Sequence, residues 1–164
     1  MKKKIIIISG DPNSINSEII YKCFKKLNNS IKKRIYLISN YNLLNKQFKK
    51  LKYSIKTLKV KNLNDKISHA NLKIINLNLK FNNCFNIKNK NGSKFVKKSI
   101  SLAHKLALRD DVSGIINCAI NKNLLNKAKT GVTELLALKC KIKDKSEVML
   151  ITNKRLSVCP LTTH

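Results

Sequence analysis

No stretch of this 164-residue chain approaches the ~20 uninterrupted apolar residues of a membrane-spanning helix, because lysine or asparagine breaks every run within a few positions. No membrane partner is expected. After the basic start MKKK, only four isoleucines precede Ser9, Gly10 and Asp11, which is too short for the apolar segment of a secretory signal. Cysteine is sparse and unpaired in pattern: Cys23, Cys84, Cys118, Cys140 and Cys159 are odd in number, widely spaced and form no C-x-x-C pair. That spacing suggests neither a disulfide framework nor a zinc knuckle, and a reducing cytoplasm is the expected compartment. None of the five sits in a nucleophile motif, so small buried thiols are expected rather than a catalytic cysteine. No internal repeat stands out.

Arginine is also scarce, and this bears on the formal charge of +27. A small, strongly basic domain is the usual footprint of nucleic-acid binding. Here, however, lysine outnumbers arginine 32 to 3, whereas readers of bases and phosphates favour the planar arginine fork. Aromatics are only 5% of the chain, which leaves little for base stacking. Lysine, asparagine and isoleucine together supply 75 of the 164 residues, and all three have A/T-rich codons. Codon drift alone yields such an excess, so most lysines are read as solvated surface and no specific nucleic-acid partner is expected. The charge can still assist capture of anionic ligands.

With 43% hydrophobic residues, the chain can bury a core of one ordinary domain or part of a larger one. Strand and helix signals alternate along it. Lys4 to Ser9 is an apolar run stopped by Gly10-Asp11-Pro12, a buried strand feeding a loop. Ser17 is a candidate helix cap with Glu18 in the first turn, followed by Ile19, Ile20, Cys23, Phe24 and Leu27 at helical spacing. Arg34 to Ser39 reads as a second strand, Tyr41 to Leu51 as a second helix and Leu72 to Asn76 as a further strand. Asn82 to Gly92 lacks periodicity and reads as a flexible connection. Ser93 then caps a helix with Phe95, Val96, Leu102, Ala103, Leu106 and Ala107 on one side. Gly114 to Cys118 reads as a strand, a helix begins near Thr133, and Val148 to Ile151 pairs with Leu156 to Val158. The alternation predicts an α/β fold with a largely parallel sheet flanked by helices.

Four short segments carry the candidate chemistry: Gly10 to Glu18 (GDPNSINSE), Asn117 to Lys122 (NCAINK), Thr130 to Glu134 (TGVTE) and Thr162 to His164 (TTH). A loop at the carboxyl end of a first strand is where open α/β sheets bind ligands, although an ordinary strand-to-helix turn reads the same way. In this order and at these separations, the segments resemble those of the 4-hydroxythreonine-4-phosphate dehydrogenase family of pyridoxal phosphate biosynthesis. The family's GDPxGIGPE-like loop keeps its skeleton here but loses its inner glycines. Its TGPxxK-like segment is matched at Asn117 to Lys122, its TGHTE motif by TGVTE, and its TTH motif is identical.

The resemblance covers essentially the whole chain. It implies a fold like that of the isocitrate and isopropylmalate dehydrogenases, with two α/β domains per subunit, a homodimer and an active site in the cleft. Residues 1–164 would be the amino-terminal portion, with the carboxyl-terminal half absent. It further implies NAD as cofactor, a divalent cation (zinc, magnesium or cobalt) and a phosphorylated small-molecule substrate, 4-phosphooxy-L-threonine. The alcohol of that substrate is oxidised to a 3-keto acid, which loses carbon dioxide to give 3-amino-2-oxopropyl phosphate.

By the same resemblance, His164 is one of three metal-ligating histidines and Thr133 a substrate contact, although Thr133 also suits a helix cap. Val132 stands where the family's substrate-binding histidine falls, and an isopropyl group can neither donate nor accept a hydrogen bond. Lys122 is equally a candidate anion contact or a solvated lysine. His69 and His104 have no motif around them. One imidazole does not make a catalytic metal site, which takes about three protein ligands, so the chain alone is expected to be inactive. The competing readings are a non-catalytic, ligand-binding derivative and a basic nucleic-acid-binding domain.

Overall fold

The computed structural model describes residues 3–64, 71–125, 131–142 and 147–160. The chain divides into two compact units, Met1–Lys129 and Thr130–His164. In the first unit the elements run β1 (Lys4–Ile8), α1 (Asn16–Lys26), α2 (Asn29–Lys32), β2 (Ile35–Ser39), α3 (Tyr41–Lys50), β3 (Thr57–Val60), β4 (Leu72–Asn76), α4 (Asn89–Ala107) and β5 (Val112–Asn117), followed by a 3-10 turn at Lys122–Leu125. The five strands form one parallel sheet in the order β3-β4-β2-β1-β5. The expected α/β architecture with a parallel sheet is what the chain adopts.

Both faces of the three central strands β4, β2 and β1 are covered, so these read as near-continuous apolar runs rather than alternating ones, whereas Ile116 of the edge strand β5 is 54% exposed. On one face Ile35, Leu37, Leu72 and Ile74 pack with Ile20 and Phe24 of α1 and Leu44 and Phe48 of α3. Successive side chains of a strand point to opposite faces. Ile6, Ile8 and Ile38, all fully buried, therefore turn the other way, where α4 lies across β1, β2 and β5. Phe95, Val96, Ile100 and Ala103 are the buried face of α4. β1 is central and parallel to both neighbours, pairing Ile5 with Ile35 and with Gly114. Among the described residues no helix is long and apolar enough to cross a membrane.

The element boundaries correct three expectations. Helix α1 begins at Asn16, with Ile15 at the cap position and no side-chain cap bond, so Ser17 is not the cap but a buried residue of the first turn. Helix α4 begins at Asn89 rather than at Ser93, so Asn89 to Gly92, at the end of the expected connection Asn82 to Gly92, are already helical. Gly92 is buried there, and a Cβ on it would lie 3.7 Å from both Pro12 and Leu124. No capping side chain marks the start of α4, whose N-cap is Lys88. The strand β3 was not expected. It is an edge strand with Lys59 exposed, and an edge lysine hides a strand from a search for apolar runs while protecting the edge from unwanted pairing.

Lys73 is an unusual occupant of β4, only 4% exposed. Its ammonium donates to the carbonyl of Lys33 and lies 4.3 Å from the centre of the Tyr36 ring. Burial, and then the nearby Lys4, hold its pKa below the ordinary 10.5. A lysine with a depressed folded-state pKa is penalised while protonated, and the penalty is relieved as pH rises through the folded pKa toward 10.5. Lys73→Met, which keeps the stem and removes the charge, is therefore expected to be at least as stable as the parent at pH 7. Its advantage should shrink toward pH 10. Chemical denaturation of both proteins across pH 7 to 10 checks this, and a loss above about 1 kcal/mol at pH 7 would contradict it.

The second unit carries α5 (Val132–Lys139) and an antiparallel pair of two-residue strands, β6 (Ile151–Thr152) and β7 (Ser157–Val158). The expected pairing is present, with Ile151 opposite Val158, though Val148 to Leu150 and Leu156 lie outside the strands.

Candidate functional site

The loop leaving β1 is held by buried side chains as well as by its backbone. Gly10 sits at φ +74°, the left-handed region that a glycine enters without strain. A Cβ there would run into the carbonyl of Ala119 and the side-chain amide of Asn16. Asn16, 2% exposed, donates from Nδ2 to the carbonyls of Ser9 at 3.0 Å and Ala119 at 2.7 Å. The amide of Asp11 adds a bond to the same Ala119 carbonyl at 3.0 Å, and that of Cys118 bonds Ile8 at 3.0 Å. Two of the four motif segments, Gly10 to Glu18 and Asn117 to Lys122, are thereby joined at the carboxyl ends of β1 and β5, the ligand-binding end of an open parallel sheet.

Further side chains lock the outer half of the loop. Asn13 acts as a two-way bridge to Ile87, donating to its carbonyl at 2.8 Å and accepting from its amide at 2.7 Å. The Asp11 carboxylate accepts from the Asn13 amide at 2.9 Å, and Ser14 Oγ donates to the Asp11 carbonyl at 2.7 Å. Gln47 of α3, 4% exposed, donates to the carbonyls of Pro12 and Cys84 at 3.0 and 2.8 Å. Reading the sequence did not single out Asn13, Asn16 or Gln47. A signal was nonetheless present, since Ser14 and Asn16 stand at the inner glycine positions of the GDPxGIGPE-like motif.

The remaining candidates divide as follows. Glu18 pairs with Lys22 at 2.5 Å one helical turn away, and its hydrogen bond and charge attraction to that lysine hold the carboxyl below its ordinary range. It is an ionised surface group rather than a proton donor at neutral pH. Burial, with a smaller push from Cys23, raises the Cys118 thiol to about 11, so it stays protonated and is a poor nucleophile. Lys122 is exposed at the start of the 3-10 turn. His104 lies in the last turn of α4, and His69 falls outside the described residues.

In the second unit, α5 has Gly131 as its N-cap, and the Glu134 carboxylate accepts from the Gly131 amide at 2.8 Å. This is half of a capping box, because glycine has no side chain to return the bond. Thr133 is therefore not the cap. It sits inside the first turn, exposed, next to the partly buried Val132. Thr130, Thr162, Thr163 and His164 lie outside the described residues. Among the described residues no three His, Cys, Asp or Glu side chains gather into a group able to hold a metal ion, so the cation remains an expectation attached to His164.

The Asn16 bridge makes a clear prediction. Asn16→Ala removes two donated bonds, which costs about 1–3 kcal/mol in denaturation experiments. Asn16→Asp should lose more at pH 7, because an ionised carboxylate would face two carbonyls. Part of that loss should return on acidification, as a protonated carboxyl can donate again. Equal stability of the parent and both variants would show that the bridge carries no weight.

Comparison with known proteins extends the picture. Residues 12–164 match the family model described as pyridoxal phosphate biosynthetic protein PdxA. A 4-hydroxythreonine-4-phosphate dehydrogenase of Erythrobacter litoralis is 34% identical over 76 residues, covering 44% of this chain and 23% of that protein. The crystal structure of a 4-hydroxythreonine-4-phosphate dehydrogenase from Klebsiella pneumoniae superposes with a TM-score of 0.79 at 21% identity, over 96% of this chain and 50% of the other. One from Burkholderia phymatum gives 0.73 at 16% identity, over 97% and 49%. The chain thus spans about half the length of these solved relatives.

Proposed function

Because this chain belongs to the family of the pyridoxal phosphate biosynthetic protein PdxA, we propose that it is the amino-terminal portion of a two-domain dehydrogenase that oxidises 4-phosphooxy-L-threonine with NAD. The secondary alcohol gives up a hydride to the nicotinamide and a proton to a base, and the resulting 3-keto acid loses carbon dioxide to leave 3-amino-2-oxopropyl phosphate. The match over residues 12–164 carries this reading. The tied loops at the carboxyl ends of β1 and β5 support it, since they give the sheet a rigid rim where ligands of such folds bind.

Each residue has a limited task in this scheme. The hydroxyl of Thr133, exposed in the first turn of α5, can donate to or accept from a polar group of the substrate. Val132 offers only an apolar surface, so the hydrogen bond that the family's histidine would make has no counterpart at that position. His164 would contribute one imidazole nitrogen to a divalent cation, whose chemistry is polarisation of the alcohol and ketone oxygens. A homodimer is part of the same proposal, as is a cytoplasmic setting.

Two expected outcomes follow for a longer form of the protein that carries sequence beyond His164. First, His164→Ala abolishes metal-supported NADH formation and weakens metal binding measured directly by titration. Second, Val132→His leaves metal affinity unchanged and alters KM, through a hydrogen bond worth about 1 kcal/mol net. The 164-residue chain alone should form no NADH from this substrate. Metal-dependent NADH formation by that chain, or unchanged metal affinity and kcat in His164→Ala, would refute the assignment.

A further inference from the structure

A cleft of about 530 Å³ opens at the carboxyl ends of β2, β3 and β4. None of the motif residues lines it. Four lysines do, and they come from separate parts of the unit: Lys59 from β3, Lys80 from the segment after β4, and Lys94 and Lys98 one turn apart on α4. Among the described residues no carboxylate lines the cleft, and none of these four lysines takes part in the ion pairs that Asp111 and Glu18 form with Lys4, Arg109 and Lys22. A concave surface lined by one sign of charge focuses the field within it and concentrates counter-ions of the opposite sign.

Two amides at the start of α3, beside this cleft, already have partners: that of Tyr41 bonds Asn76 Oδ1 at 2.8 Å, and that of Leu43 bonds Asn40 Oδ1 at 2.8 Å. The formal positive charge of the lining is that of its four lysines. Buried Phe95 contributes to the lining, and Tyr41 and Phe81 add aromatic surface to it. Asn42 and Asn78 contribute carboxamides that can donate or accept.

We propose that this cleft binds an organic phosphate. The lysine ammoniums suit a phosphate as point-charge partners, and several of them exceed what one carboxylate would neutralise. The volume falls in the range of about 300–1,000 Å³ typical of small-molecule sites, far more than a bare phosphate group fills. The remainder of the ligand lies against the aromatic and carboxamide surface. A nucleic-acid strand is the less favoured occupant, because its readers use arginine forks and stacked aromatics in succession, whereas this site is a bounded hollow with lysines on its wall.

The test is calorimetric titration of the purified 164-residue chain with inorganic phosphate, O-phosphoserine and serine at low ionic strength. Saturable binding of phosphate and O-phosphoserine, with the ester tighter and serine silent, is expected. Lys94→Gln with Lys98→Gln should weaken O-phosphoserine at least tenfold. Lys25→Gln with Lys26→Gln, which removes the same charge from exposed positions on α1, should change it less than twofold. Melting curves of both variants establish that each is folded. Absence of saturable binding to the parent, or an equal effect of the two double variants, would overturn the proposal. So would a short single-stranded RNA that binds more tightly than O-phosphoserine and loses that binding in the α4 variant.

Discussion

The side-chain amide of Asn16 donates to two carbonyls that belong to different strands' loops, Ser9 after β1 and Ala119 after β5. That tie organises the loops at the carboxyl ends of β1 and β5. It sets the first residue of α1 beneath the turn, leaves no room for a Cβ on Gly10, and shares the Ala119 carbonyl with the Asp11 amide. A loop so held has little conformational entropy left to lose when a ligand arrives, which is how pre-formed sites save binding free energy. The tie also explains how the chain departs from the GDPxGIGPE-like motif without losing the loop. Where the motif has a glycine, this chain has an asparagine whose carboxamide fills the space beneath the turn and bonds across it.

Electrostatics adds a second layer. A formal charge of +27 on 164 residues disfavours the compact state through self-repulsion, and few carboxylates are available to offset it. Glu18 and Asp111 are engaged in ion pairs. Asp111 is shared by Arg109 and Lys4 at the amino-terminal end of the sheet, and both cations hold its carboxyl well below the ordinary range. At the opposite end, where β2, β3 and β4 finish, four lysines line the cleft with no carboxylate among the described residues of its lining.

How much of this was legible in the sequence depended on whether local or tertiary forces set each feature. The strands β1, β2 and β4 are short apolar runs between polar residues, and their hydrophobic content alone marks them. Helix α3 was read from its periodicity over Tyr41 to Leu51, and the structure adds that Asn40 caps it through a local bond to Leu43. The start of α4 left no such mark: its N-cap is Lys88, and Gly92 seats against Pro12 and Leu124 from distant parts of the chain. Likewise Ser17 looked like a cap, yet the helix begins where Asn16 reaches the carbonyl of Ala119, 103 residues away in the loop after β5. The motif segments were readable by resemblance, and geometry brings two of them together. Thr133 proved to be an exposed residue of the first turn of α5 rather than its cap. His164 falls outside the described residues, so its role rests on resemblance alone.

Amide hydrogen exchange, read residue by residue by NMR, tests the central claim that the rim of the sheet is locked by the Asn16 tie. The Asp11 and Cys118 amides, bonded to Ala119 and Ile8, should exchange only through the larger openings that release the β1 amides, and so share their protection. If Asp11 instead exchanged as freely as an exposed loop residue while β1 stayed protected, the loop would be opening independently of the sheet, and the account would be wrong.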